Sequence, residues 1–427
     1  MKRTGLLIFS SLLLQPGGVF LTAGGASTVQ EKGPRAQQDE PGEKESTDRP
    51  QDPNSLRPYW KDGVRLETPD KRVSLKIGGR IQADWMWINE DQAVRDAIGD
   101  QTSGSEFRRT RLYMSGDLYG NLSFKSQFDF AGGATALKDV FVAFKSIPGF
   151  GNVKVGHYKE PYSLEELTSS NYMTFVERSL ANVFSYSRNV GLTFYNSQLD
   201  QRLTWAAGVF RDTDNGGTSL GNGVGGTFRL TGVPALDKQK DRLVHLGVSY
   251  SLRRPSDGAL RWRQRPELHL TDRYVDTRSF AADRVQNLAL EGAVVSGPFS
   301  VQSEYTHSAA RSRIAGDPVF GGFYVYASVF LTGEQRNYKA SSASFDRLRP
   351  RKNFAPGEGA GAWELALRYS TLDLTDRAIQ GGRLNNVAAA VNWYLNPVAR
   401  VMFNYVHGDL YEVGTTHAVV TRLQLNF

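Results

Sequence analysis

Residues 73–427 return again and again to one pattern, apolar side chains at every second position with polar ones between. No other feature restricts the fold as much. Successive side chains of a strand point to opposite faces, so sustained alternation means strands with one apolar and one polar surface. The hairpin at 107–130 shows it clearly. Leu122, Phe124, Phe128 and Phe130 point one way, and Ser123, Lys125, Gln127 and Asp129 the other. In the preceding arm Leu112, Met114, Gly116 and Leu118 oppose Arg109, Arg111, Tyr113, Ser115 and Asp117. Such a hairpin suits a soluble sandwich, with its apolar face on a core. It equally suits an outer-membrane barrel, with that face on lipid and the charged face on the lumen.

The remaining segments favour the barrel. From Val73 the alternation runs without a break through Ile81, Ala83, Trp85 and Trp87, longer than soluble strands usually run, and the tryptophans suit an interfacial girdle. Similar segments recur at 138–146, 152–158, 189–197, 202–211, 223–231, 241–252, 284–295, 299–307, 320–332, 361–373, 383–395, 398–407 and 415–427, about sixteen strands in all. One further candidate, 260–270, would make the number odd. Bacterial barrels have even strand numbers, short periplasmic turns and longer outer loops. Gly297-Pro298 and Asn396-Pro397 are tight enough for periplasmic turns, and both reach that side only if 260–270 belongs to a long fifth outer loop at 253–283. Arg261, Arg263 and Arg265 would then sit over the mouth. The same reckoning makes 333–360 a periplasmic connection of unusual length. The third outer loop, 159–188, has helix-like composition. The fold class predicted is all-β, a transmembrane antiparallel barrel of about sixteen strands.

The ends of the chain agree with export. Lys2-Arg3, the apolar run 6–14 and the small residues Ala23-Gly-Gly-Ala26 read as a signal peptide over 1–26. Residues 27–72 form a polar segment. Its first part, to about Pro58, is rich in Gln, Glu, Asp, Pro and Lys and predicts no fold of its own, but a periplasmic tether. The barrel is expected over 73–427. The final strand ends in Leu423, Leu425 and Phe427, which resembles the C-terminal signal read by the barrel-assembly machinery.

Composition narrows the function. Mean hydropathy is −0.41 and the one long apolar run is N-terminal, which excludes a bundle of membrane helices but not a barrel. The chain contains no cysteine, so there is no thiol or disulfide framework. The formal charge of +7 falls to +5 once Lys2 and Arg3 are set aside, and the basic residues are interleaved with carboxylates, unlike a nucleic-acid footprint. The six histidines have no metal-ligand spacing and read as girdle or loop residues, and no serine stands in a Gly-x-Ser-x-Gly motif. No catalysis and no cofactor are expected.

Several motifs carry a family resemblance. Gly78-Gly-Arg-Ile-Gln-Ala-Asp84, Phe107-Arg-Arg-Thr-Arg-Leu112, Lys138-Asp-Val-Phe-Val-Ala-Phe144, the run from Val155 to Ser170, Glu177-Arg-Ser179, Leu331-Thr-Gly-Glu334 and Trp363-Glu-Leu-Ala-Leu-Arg-Tyr-Ser370 occur in order. Together they resemble the phosphate-selective porin O and P family over roughly 73–427. The resemblance implies an outer-membrane homotrimer passing small anions, with the third loop folded inward to narrow the pore. It also implies an anion-binding constriction drawing on Arg80, Arg108, Arg109 and Asp139. Three positions depart from the phosphate-specific pattern: Glu166 replaces a lysine, and Arg111 and Lys159 replace tyrosines.

The residues themselves point the same way. Lys76, Arg80, Arg109, Arg111, Lys125, Lys145 and Lys154 share the polar parity of the first five strands, where a ring of Arg and Lys would attract anions. Strict alternation puts Arg108 on the lipid side, so its participation requires a β-bulge. The site predicted comprises Arg80, Arg108, Arg109, Arg111, Lys125, Asp139, Lys159 and Glu166, with Glu165 and Glu166 opposing the arginines. Two other readings compete: a plugged barrel with a receptor, adhesin or anchoring role, and a soluble exported β-protein that binds anionic polymers.

Overall fold

The computed structural model describes Asp52, 55–219, 221–237 and 242–427. Its strands, in chain order, are β1 (Arg57–Trp60), β2 (Val64–Glu67), β3 (Val73–Glu90), β4 (Gly104–Leu118), β5 (Leu122–Asp129), β6 (Ala136–Ile147), β7 (Gly151–Lys159) and β8 (Arg188–Gln198). They continue with β9 (Leu203–Arg211), β10 (Val224–Asp237), β11 (Arg242–Arg254), β12 (Arg284–Ser296), β13 (Phe299–Arg311) and β14 (Val319–Phe330). The last four are β15 (Ala362–Asp376), β16 (Ile379–Tyr394), β17 (Ala399–Leu410) and β18 (Gly414–Asn426). From β3 onward each strand pairs antiparallel with the next, and β18 pairs back onto β3, from Thr416↔Glu90 to Asn426↔Arg80. Closure leaves no free edge along the ring of wall strands. The result is a sixteen-stranded antiparallel β-barrel.

Alternation decides which face is which. Along β12 and β13 every second residue is buried, and the positions between are exposed or partly exposed. The exposed positions include Leu290, Val294, Val301 and Tyr305, whereas Asn287, Glu291, Gln302 and Glu304 are buried. The apolar surface is therefore outside and the polar one inside, as a lipid-embedded wall requires. The closing seam depends on two glycines. A Cβ on Gly78 would meet the Tyr113 hydroxyl at 2.5 Å, and one on Gly79 the Phe427 ring at 2.9 Å. Gly79 and Phe427 exchange both backbone hydrogen bonds, at 2.8 and 3.1 Å.

Two features differ from, or go beyond, the sequence expectation, and a third agrees with it. The sequence predicts that the polar segment 27–72 lies outside the fold, yet β1 and β2 form a hairpin in it, and β2 extends the sheet by pairing with β3 from Val64↔Ile77 to Glu67↔Ser74. That hairpin takes the edge of β3 beyond the point where β18 stops, so unpaired backbone there is satisfied. Residues 1–50, including the predicted leader, lie outside the described residues. A short helix, Gln92–Ile98, occupies the first loop. The stretch 260–270 adds no wall strand: β11 and β12 pair directly, and the excursion between them is held by the two-residue pairs Ala259–Leu260 with Phe280–Ala281 and Arg263–Gln264 with Val275–Asp276. Arg261 is ion-paired with Asp276 there.

Candidate functional site

The predicted residues converge on the inner face of β3–β7. Arg80 and Arg111 are direct cross-strand partners, as are Gln82 and Arg109. The register then shifts, with Ala83 opposite Phe107, so that Arg108 is the extra residue of a bulge. Phe107 is 65 % exposed on the outer wall and Arg109 4 %, while Arg108 turns toward Glu177. The bulge thus supplies what strict alternation denies, two adjacent arginines on one side of the sheet.

Most of these cations have carboxylate partners. Arg111 Nε donates to Asp129 at 2.7 Å, and Lys125 and Arg188 reach Asp139 at 2.6 and 2.8 Å. Arg108, Arg109 and Arg422 surround Glu177 at 2.7, 3.7 and 3.1 Å, and Arg422 also holds Asp84 at 2.6 Å. Lys159 and Arg178 both pair with Glu166 at 3.2 Å. Arg80 differs: its Nη1 donates to Ser170 Oγ at 2.5 Å, its Nε has no partner, and among the described residues it forms no ion pair. Cations exceed carboxylates at Asp139, Glu166 and Glu177.

The segment 160–187 is tied to side chains of the polar face around much of the ring. Leu164 and Glu165 donate backbone N–H groups to Glu304 at 3.0 and 2.6 Å, and Val176 donates to Asn404 at 3.0 Å. Asn392 and Arg400 donate to the carbonyls of Thr174 and Met173, each at 2.8 Å. The fifth-loop residue Glu267 accepts from Leu180 N and from Arg368 and Ser370. Polar-face side chains of β13 to β18 are consequently sealed, with Glu304, Asn392 and Arg400 at 2 % exposure or less. On β3 to β8 Arg80, Gln82, Arg109 and Arg111 are buried too, but the lysines are not. Lys76, Lys125, Lys145 and Lys154 remain partly exposed, and the Lys154 ammonium lies 4.8–5.1 Å from the rings of Phe141, Tyr158 and Tyr195. At the turn end Lys76, Arg242, Arg336 and Arg347 line a cavity of about 850 Å³ shared with Tyr172 and Tyr338.

Sequence reasoning passes over Arg178, Arg188 and Arg422. Arg188 stands one residue before the predicted strand 189–197, Arg178 finds Glu166 within the fold of the third loop, and Arg422 acquires partners only through contacts distant in sequence. One histidine expected in girdle or loops is instead on the inner face, His245, whose Nδ1 lies 2.7 Å from the Tyr338 hydroxyl; His157, cross-strand from Val140 and Val190, is buried with its Nδ1 2.7 Å from the Lys138 carbonyl.

The sequence sets Glu166 against the arginines, and its surroundings change that picture. Burial would raise its carboxyl, but Arg178, Lys159 and Arg188 hold it at about 2. Glu177 is likewise held well below its usual range, since Arg108, Arg109 and Arg422 outweigh burial. Burial wins at Glu165, whose carboxyl is raised despite Arg368. A depressed carboxyl contributes stability that is complete above the unfolded value, 4.5, and lost as pH falls toward the folded one, about 2. The segment 160–187 should therefore stay anchored above pH 4.5 and loosen between that value and 2. Single-channel noise recorded against pH checks this, and a flat record down to about pH 2.5 would contradict it.

The profile of the family described as phosphate-selective porin O and P matches residues 75–427. The chain belongs to that family. It is accordingly a porin-type barrel of the outer membrane. Porin O of Pseudomonas aeruginosa is 28 % identical over 416 residues, covering 86 % of this chain and 91 % of that one. A Caulobacter vibrioides protein is 30 % identical over 374 residues, covering 84 % and 72 %. Among solved structures, the trimer form of in-vitro folded OmpT from Vibrio cholerae superposes with a TM-score of 0.51 at 12 % identity, over 82 % of this chain and 99 % of that one. Likeness at that identity speaks for the fold alone.

Proposed function

We propose that this porin passes small anions by diffusion along a basic strip on the inner face of β3–β8, narrowed by the segment 160–187 lying across the lumen. The observation that carries the reading is the Arg80–Arg111 cross-strand pair, in which Arg80 has no carboxylate partner among the described residues. Two like charges placed opposite each other cost stability unless an anion comes between them. Lys125, Lys154 and Lys159 extend the positive field along the strip, and apolar walls weaken its screening. Arg108 and Asp139 act by positioning, the first through Glu177 and the second through Lys125 and Arg188. Assembly as a homotrimer belongs to the same proposal, supported by the trimer form of the Vibrio cholerae protein. Capture of Phe427 by the assembly machinery is a further part of it, as are a cleaved leader over 1–26 and a tether after it.

Reversal potentials in a salt gradient across planar bilayers test the reading. The expected result is moderate preference for chloride over potassium, weak inhibition by phosphate, and a shift toward cation selectivity in Arg80→Ala. Potassium preference in the unmodified pore would refute the basic strip. Absence of any conductance would favour the plugged barrel, for which the sealed inner faces of β13–β18 speak.

A further inference from the structure

The outer wall carries a second set of arginines, on the opposite side of the sheet from the lumen. Arg211 on β9 pairs with Val224 on β10, and Val224 pairs with Arg254 on β11. Arg253 pairs with Val285, so the next step along both strands brings Arg254 beside Arg284 on β12, and Arg284 pairs directly with Arg311 on β13. Four arginines therefore stand in one row across five adjacent strands. All four are exposed and share the parity of the outward residues Val209 and Leu252, and Arg313 stands exposed just beyond. The row lies where the strands meet the connections 212–223, 255–283 and 312–318, the end bearing the longer loops and hence the extracellular side.

Two observations single the row out. Arg254, Arg284, Arg311 and Arg313 form no ion pair among the described residues, although Arg284 and Arg311 oppose each other and repel. At the same end of β16, by contrast, Arg383 is neutralised by Asp373 at 2.5 Å. Beneath the row is a cavity of about 770 Å³ on the wall, bordered by Val209, Val224 and Leu252 as well as by Arg254, Arg284 and Arg311, with Asp283 as its acidic member. Unneutralised guanidinium forks stand above apolar surface at a membrane boundary. An amphiphile with phosphate groups above acyl chains matches that order from water to lipid.

We propose that this face of β9–β13 binds the phosphate groups of a phosphorylated lipid of the outer leaflet, with acyl chains lying against Val209, Val224 and Leu252. The lipid supplies the counter-charge that the wall lacks, and Arg284 and Arg311 hold one phosphate between them.

The test uses the full-length barrel in detergent micelles and a fluorescently labelled, bis-phosphorylated lipid A as probe. The Arg284→Gln/Arg311→Gln double variant should bind about tenfold more weakly or worse, while Arg383→Gln binds as the unmodified protein does. Neither change touches the ladder or the interior, so heat-modifiable migration and conductance should be unaltered in both. Removing the phosphates from the probe should weaken binding to the unmodified barrel to the same degree, and equimolar inorganic phosphate should fail to displace the probe. Equal binding by the double variant, equal binding of the dephosphorylated probe, or ready displacement by inorganic phosphate would each overturn the proposal. Arg313→Gln supplies an independent reading, with a loss of a few-fold expected and none counting against the row.

Discussion

Glu177→Gln should release the segment 160–187 from the wall while leaving the barrel intact. The carboxylate is the shared partner of Arg108, Arg109 and Arg422, whose side chains are 18, 5 and 1 % exposed. Of the three, only Arg422 has a second carboxylate among the described residues, Asp84. Removing one member of a buried ion pair strands its partners in a poorly solvating site, at a cost of about 3–5 kcal/mol. Glu177 retains slight solvent contact at 15 % exposure, which favours the lower end of that range. The strand ladder does not pass through Glu177, so heat-resistant folded barrel should still form. Limited proteolysis should cut within 160–187 faster than in the unmodified protein, and open-channel current should become noisier. Unchanged protease resistance together with a quiet channel would show that the arginine cluster does not anchor this segment.

Leu367→Arg should be the most damaging single change on the outer wall. Leu367 is 59 % exposed, stands near the middle of β15, and has Ala327 and Ala389 as cross-strand neighbours. In lipid, arginine at that depth costs about 2–4 kcal/mol. Ser123→Arg on the inner face should cost little, because Asp117 already accepts a hydrogen bond from Ser123 at 2.6 Å and would receive the new charge. Denaturant titrations of both variants folded into bilayers measure the difference. Equal midpoints would mean that the apolar parity does not face lipid.

The loops separate what is local from what is not. The excursion 255–283 is legible in the sequence because strand parity forbids a wall strand there. Its contact with the third loop is not, since Trp262 meets the sequence-distant Phe184 edge-on at 5.4 Å. The hairpin 57–67 is hidden because each arm has four residues, too few for alternation to stand out from the polar stretch before it. The participation of Arg108 rests on one register slip, which no pattern within β4 reveals.

By itself, then, the sequence determined the class of fold, the number of wall strands, the lipid-facing and inner parities, and the basic character of the first strands. Those properties follow from a period of two, which each strand carries within its own length. Only the tertiary structure decided which charges meet. Asp84 and Arg422 become partners because closure brings the first and last wall strands together, and Glu166 is neutralised because its loop returns to Lys159 and Arg178. Ion pairing depends on close approach between groups up to 338 positions apart. Local periodicity carries no information about such distances, and closing the barrel creates them.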